Sequence, residues 1–214
     1  MGNRSLQIQK FTLGPFQNNS YLVSSMETRE CVIIDPAIGS RAILDEILNQ
    51  QYELTQIWIT HAHFDHIGGV QEITKKRPAG VPVYIHSLDI QLWQDGGGTK
   101  EFGLEVDQNP LPSRIIKEAH ELKIDECRFQ ILHTPGHTQG HVTIYNAEES
   151  AAFCGDLIFQ NSIGRTDFQG GDAEQIISSI RNKILTLPDD TRLLSGHGPE
   201  TTVGQERINN PFLK

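Results

Sequence analysis

Hydrophobic and polar positions along the chain change period at definite points, and the changes predict a chain of strands with helices set between them. Short apolar runs at 6–11, 21–24 and 31–34 read as strands. The next segment, RAILDEILNQ (41–50), places apolar residues at 43, 44, 47 and 48, which is helical spacing. A strand rich in Ile and Trp follows at 54–60, then a helix at 69–76 and a short strand at 83–85. The second half repeats the scheme, with strands near 128–133, 141–145 and 151–154, a helix over 173–184 and a strand at 192–195.

Strands come in consecutive runs, not in strict alternation with helices. Two mixed sheets packed face to face, with helices on their outer faces, would bury all of these apolar faces. A single doubly wound sheet is the alternative, and the early run of strands argues against it. The segment 94–113, QDGGGTKEFGLEVDQNPLPS, has three consecutive glycines, two prolines and no period, so it predicts either a functional loop or a surface excursion. No fixed-period repeat, low-complexity run or linker divides the chain, and one domain over 1–214 is expected.

Composition narrows the function classes. Eighteen basic against 27 acidic side chains give a formal charge of −9. That balance disfavours a nucleic-acid partner, whose phosphates call for a basic surface. No run of about 18 apolar residues could span a bilayer, and the first residues lack the apolar stretch of a secretory signal. A cytoplasmic protein without a membrane partner is therefore expected. Cys31, Cys127 and Cys154 are odd in number and widely spaced, with no CxxC pair, as expected of reduced, buried thiols.

The chemistry concentrates in ITHAHFDHIGG (59–69), where three histidines and an aspartate occupy six positions. In an extended segment residues i and i+2 point the same way, so His61 and His63 can converge on one cation. Asp65 and His66, at the turn into the next helix, can face a second. Imidazole suits zinc, iron and manganese, and the carboxylate adds a hard oxygen and negative charge. Three strand ends offer further donors on glycine-rich loops: His137 in HTPGHTQGH, Asp156 in FCGDLIF and His197 in LLSGHGP. Alone, each reads as a turn residue; beside four donors in six positions, each becomes a credible ligand.

HxHxDH followed by a distant His, an Asp and a last His resembles the signature of the metallo-β-lactamase fold superfamily. The resemblance runs from IIDPA (33–37) to GQERINNPF (204–212). THAHFDHIGG, TPGHTQGH, GDLIF, GRTDF and GHGPETT together are similar to the short glyoxalase-II-like hydrolases within it. It implies an α+β, four-layer αββα sandwich and a binuclear site. His61, His63 and His137 would hold one divalent metal, Asp65, His66 and His197 the other, with Asp156 bridging. Zinc is the first expectation, with iron or manganese as alternatives. Asp35 would support the ligand loops, and His141 would lock a loop without ligating. His133, within its strand, is expected to be a packed or hydrogen-bonded core residue.

Such a site activates a water bridging two cations about 3.5–4 Å apart. Asp65 would ligate and orient the resulting hydroxide, so it is the catalytic candidate. A thioester fits because its leaving thiolate needs little protonation, and the resemblance implies S-D-lactoylglutathione, cleaved to D-lactate and glutathione. The larger glyoxalase II enzymes carry a C-terminal helical domain that grips glutathione, and none is expected here. Arg165 in IGRTDF matches a basic substrate-contacting position and is the candidate for that role, the alternative being a loop-supporting ion pair with Asp167 or Asp172. The rival within the superfamily is a persulfide dioxygenase with a single iron, which shares the GRTDF-type segment. Gly140-His141 and Gly196-His197-Gly198 stand against it. A nuclease is disfavoured by charge and a β-lactamase by the absence of a signal. A structural zinc site in a binding module would be a closed tetrahedron, which seven donors exceed.

Overall fold

The computed structural model of the protein describes residues 6–76, 80–103 and 110–214. The first sheet contains β1 (Leu6–Leu13), β2 (Asn18–Ser25), β3 (Glu30–Ile34), β4 (Glu53–Trp58), β5 (Val83–His86) and β6 (Arg114–Ile116), paired in that order. β1 to β3 are antiparallel neighbours, whereas β3 to β6 pair in parallel. The parallel half exists because α1 (Arg41–Asn49), α2 (Phe64–Ile67), α3 (Val70–Lys76) and α4 (Ile90–Gln94) lie in the connections. The second sheet contains β7 (Glu121–Ile124), β8 (Cys127–His133), β9 (Val142–Asn146), β10 (Ala151–Gly155), β13 (Arg192–Ser195) and β14 (Thr201–Thr202), in the order β14-β13-β10-β9-β8-β7. A two-stranded ribbon, β11 (Ile158–Phe159) and β12 (Ser162–Ile163), follows β10. α5 (Ala173–Ser179) continues through one wider turn at Ile180–Ile184, and α6 (Val203–Asn209) follows β14.

Three apolar clusters define the layers. Between the sheets, Tyr21, Val23, Val32, Ile34 and Trp58 meet Phe129, Ile131, Val142, Ile144 and Phe153. The alternate residues of the same strands face outward: Leu22, Cys31, Ile33 and Ile57 pack against Ile43, Ile47, Val70 and Ile73 of the helices. On the second sheet, Ala152, Cys154 and Leu193 pack against Ile176, Ile180 and Val203. Burial on both faces is why β3 and β10 read as continuous apolar runs instead of alternating ones. The result is the expected helix–sheet–sheet–helix sandwich.

Aromatic pairs tie the two sheets near the functional edge. Tyr21 and Phe153 meet edge to face at 5.2 Å, and Trp58 and Phe129 at 4.9 Å. Each such pair contributes about 1 kcal/mol beyond its buried area. The Tyr21 hydroxyl donates to the Ser195 carbonyl at 2.7 Å, fixing the end of β13 against β2. The segment 94–113 has more structure than its composition predicts: a helical turn at Thr99–Phe102 follows the glycines. Residues 104–109 of it lie outside the described residues. The strands β6 and β7, too short and polar to register in the pattern, are edge additions on the two sheets. All three cysteines are buried thiols. No helix among the described residues is long and apolar enough to cross a membrane.

Candidate metal centre

Each candidate ligand follows the C-terminal end of a strand. Residues 61–63 extend from β4, and His63 is the N-cap of α2, which carries Asp65 and His66. His137 follows β8, Asp156 follows β10 and His197 follows β13. Backbone bonds knit these ends into one rim. Val142 N donates to Thr60 O at 2.9 Å across the two sheets, Gly196 N to Gly155 O at 2.8 Å, and Asn19 N to Gly196 O at 2.6 Å. Gly196 is held close to the cluster: a Cβ there would lie 2.3 Å from Asp156 Oδ1 and 2.5 Å from His66 Cε1. No other residue fits.

The structure brings all seven residues together. Donor atoms of His61, His63 and His137 lie within 4.8 Å of one another, as do those of Asp65, His66 and His197. Asp156 stands between the sets: its Oδ1 is 3.3 Å from His66 Nε2, and its Oδ2 is 3.7 Å from His137 Nε2 and 3.5 Å from His197 Nε2. His63 Nδ1 and His137 Nε2 are 2.8 Å apart, and His197 Nε2 lies 3.2 Å from Asp65 Oδ2.

Hydrogen bonds behind the rings decide which nitrogen faces inward. His137 Nδ1 lies 2.8 Å from the Arg165 carbonyl, which can only accept, so Nδ1 carries the proton and Nε2 keeps its lone pair. Thr60 Oγ1 donates to Asp35 Oδ2 at 2.6 Å, so it accepts from His61 Nδ1 at 3.1 Å and leaves His61 Nε2 bare. His66 Nδ1 donates to the same Asp35 oxygen at 3.0 Å. Asp35 also accepts from Thr60 N at 2.7 Å, so its carboxylate is occupied as a support. Rings oriented this way by groups behind them are a recurrent feature of metal sites.

Electrostatics separate the two sets. Burial, reinforced by neighbouring imidazoles, holds His61 well below its ordinary pKa, and it lowers His63 to about 3. Burial also outweighs Asp156 in lowering His137. In the other set burial is overridden: Asp156 and Asp65 raise His66 well above its usual value, and Asp65 and Asp156 raise His197. Burial pushes Asp65 and Asp156 up, yet His66 and the other histidines hold both below the usual carboxylate range.

Divalent cations fit this donor set. His61 Nε2 is a buried acceptor without a hydrogen-bond partner, which costs about 1–3 kcal/mol, and His66 Nε2 and Asp156 Oδ1 face each other at 3.3 Å without a well-formed hydrogen bond. They are satisfied together by positive charge placed among them. His141 contributes no donor to the clusters of three; its Nδ1 pairs with Thr134 Oγ1 at 2.9 Å, beneath the site.

One part of the site escaped the sequence, and a second was left open by it between a functional loop and a surface excursion. Asp89 is buried and accepts from Ala62 N at 3.0 Å, Thr138 Oγ1 at 2.8 Å and Gly140 N at 2.6 Å. It thereby clamps the His61–His63 segment to the His137 loop. Its place in a plain strand–turn sequence, VYIHSLD, gives no hint of this. The triple glycine is the second: Gly97 O accepts from Phe64 N at 2.9 Å, and with φ +68° a Cβ there would lie 2.5 Å from Phe64 N. His86 and His133 stack at 4.2 Å beside the rim, and His133 is half-buried with its Nε2 2.9 Å from the Gln139 carbonyl, so it is hydrogen-bonded as expected but lies outside the core. Arg165 orients His137 through its carbonyl. Its guanidinium makes a two-pronged ion pair with Asp167, both bonds 2.6 Å, and lies 3.7 Å from the centre of the Phe168 ring.

Known proteins of similar sequence and shape identify the family. The sequence profile of the metallo-beta-lactamase superfamily matches residues 13–197. The hydroxyacylglutathione hydrolase GloC of Haemophilus influenzae is 38% identical over 97% of this chain and 98% of its own. The crystal structure of BLEG-1, a B3 metallo-beta-lactamase, superposes with a TM-score of 0.90 at 38% identity, covering 97% of this chain and 99% of that one. TTHA1623 in a di-iron-bound form superposes with a TM-score of 0.86 at 39% identity, covering 96% and 100%.

Proposed function

The chain belongs to the metallo-β-lactamase superfamily, and from that membership we propose that it is a two-metal hydrolase of thioesters, with S-D-lactoylglutathione as the leading substrate. The observation that carries the two-metal reading is Asp156, whose two oxygens face histidines of both sets. His61, His63 and His137 would hold one divalent ion and Asp65, His66 and His197 the other. Zinc, iron and manganese all suit imidazole and carboxylate donors. Bound there, such ions supply Lewis acidity and lower the pKa of water toward about 7.

The residues of the chain do the rest. Asp65 is held ionised beside His197, so its carboxylate can orient an attacking water and take a proton from it. Asp35 and the Arg165 carbonyl keep the imidazole lone pairs directed inward through each turnover. The thiolate leaving group departs without a general acid. Arg165 remains the candidate to meet a substrate carboxylate, and the exposed pair that its Nε and Nη2 make with Asp167 would compete with that contact. The negative charge of the chain and the absence of a basic run leave a small molecule, not a nucleic acid, as the partner.

One experiment tests the reading. Protein purified after metal-replete expression is assayed for metal content and for turnover of S-D-lactoylglutathione, nitrocefin and glutathione persulfide. About two ions per chain with hydrolysis of the thioester is the expected result. The di-iron form of TTHA1623 makes iron a reasonable occupant. A fully active single-iron form that consumes oxygen on the persulfide would replace the hydrolase with a dioxygenase. Preference for nitrocefin would move the substrate to β-lactams, in line with BLEG-1, which is described as a B3 metallo-beta-lactamase.

A further inference from the structure

Beside His197 opens a groove of about 380 Å³, lined by Lys10, Thr12, Phe16, Gln17, Asn19 and the 197–199 loop. Its floor is built in advance. Asn19 Nδ2 donates to Ser195 O at 3.0 Å and Gly198 O at 2.8 Å, and Thr12 Oγ1 donates to Asn19 Oδ1 at 2.8 Å. Phe16, at the tip of the β1–β2 hairpin, stands edge-on to Phe64 at 5.0 Å and gives the groove an aromatic flank. Lys10 and Thr12 are two residues apart on one face of β1, about 7 Å along the strand. Lys10 is exposed, and among the described residues its ammonium makes no hydrogen bond or ion pair. Glu200 feels its charge, but that carboxylate is already held by Arg192 at 2.8 and 3.1 Å. An unpaired cation on a chain of charge −9 therefore faces a preformed groove that starts at a candidate ligand.

We propose that this groove receives the thiol half of the substrate and that Lys10 binds an anionic group at its far end. This rests on the thioesterase reading. The shared chemistry is a thioester whose thiol arm carries a carboxylate or a phosphate, with the arm against Phe16. Hydrophobic contact near the reacting end and a single charge at the far end would orient the carbonyl while leaving the acyl side unrestricted.

The test uses one acyl group on three thiols: glutathione, which ends in carboxylates, coenzyme A, which carries phosphates, and neutral N-acetylcysteamine. Wild type and Lys10→Glu are compared by the ratio of kcat/KM on each anionic thioester to that on the neutral one. The ratio should fall roughly 10-fold, carried by KM, as expected when an attraction becomes a repulsion. Whether the glutathione or the coenzyme A ratio falls identifies the anion. An unchanged ratio for both overturns the proposal and leaves Lys10 as a charge guarding the edge strand β1. If wild type cleaves no thioester, the catalytic reading fails by itself. The groove is then judged by binding of the uncleavable S-hexylglutathione and desulfo-coenzyme A to the metal-loaded protein. Binding weakened about 10-fold by Lys10→Glu keeps the anion site, whereas equal affinity, or none, ends it.

Discussion

The two halves of the centre are built from the same residue types under opposite electrostatic rules. His61, His63 and His137 form an interior, uncharged set, with His61 fully buried. Asp65, His66 and His197 form a charged set in which His66 is as buried as His61, while the His197 side chain reaches the rim, 29% exposed. The inner set loses nothing to protons near neutrality, because its imidazoles are already held neutral. In the outer set a cation must compete with the protons on His66 and His197. The lesson is that one pair of metal positions can differ in affinity, pH dependence and exchange rate through burial and carboxylate placement alone.

Asp156→Asn tests the element common to both halves and carries the largest expected effect. It removes the charge facing His66, His137 and His197, so both positions weaken together. Metal content should fall below one ion per chain and kcat/KM by ~10³-fold or more, beyond the loss from one supporting partner. Retention of two ions would show the sets to be independent.

Asp65→Asn strikes the outer half alone. Hydrolysis should drop at least ~10²-fold while about one ion per chain remains in the inner set. The fold should persist, since Asp65 lies at the rim. Near-normal activity would remove Asp65 from the mechanism.

Asp89→Asn strikes the inner half from behind. Whichever oxygen becomes an amide NH₂ confronts a donor, since Ala62 N, Thr138 Oγ1 and Gly140 N all point at this carboxylate. Stability should fall by about 2–3 kcal/mol, and the inner metal should bind about 10-fold more weakly. Metal affinity measured below the unfolding transition separates the two. An unchanged affinity would make Asp89 a purely structural brace.

The pH dependence of the metal-free protein sharpens the contrast at smaller scale. His61, His63, His137, His141 and His86 are held below their ordinary pKa, the last at about 4. Below about pH 6.5 the unfolded chain takes up protons at these five that the folded chain refuses, so stability falls as pH drops. His66 and His197 act in the other window: their raised values add stability that is complete below about pH 6.5 and is lost as pH rises through the folded values. Tm of the metal-free protein should therefore peak near neutrality and fall by roughly 10 °C between pH 6.5 and 5. A flat Tm over that interval would mean that the inner histidines titrate normally.

Much of this was written in the chain itself. Hydrophobic period is a local property, so the long strands and α1 were legible, and four donors in six positions admitted few uses besides a metal. β6 and β7 were not, because a three- or four-residue edge strand has too few residues to set a period. Asp89 was invisible, and the role of the triple glycine undecided, for a different reason. A carboxylate reads as a surface charge until folding surrounds it with Ala62, Thr138 and Gly140, and Gly97 reads as loop until Phe64 N lies against it. Arg165 marks an intermediate case, since the sequence offered Asp167 or Asp172 as its partner and the fold selected Asp167. The sequence alone determined which atoms could bind metal and the order in which strands deliver them. Tertiary structure decided which of those atoms are neutral, which are charged and where Lys10 faces a groove, because solvation and Coulomb energy depend on distances between residues far apart in the chain.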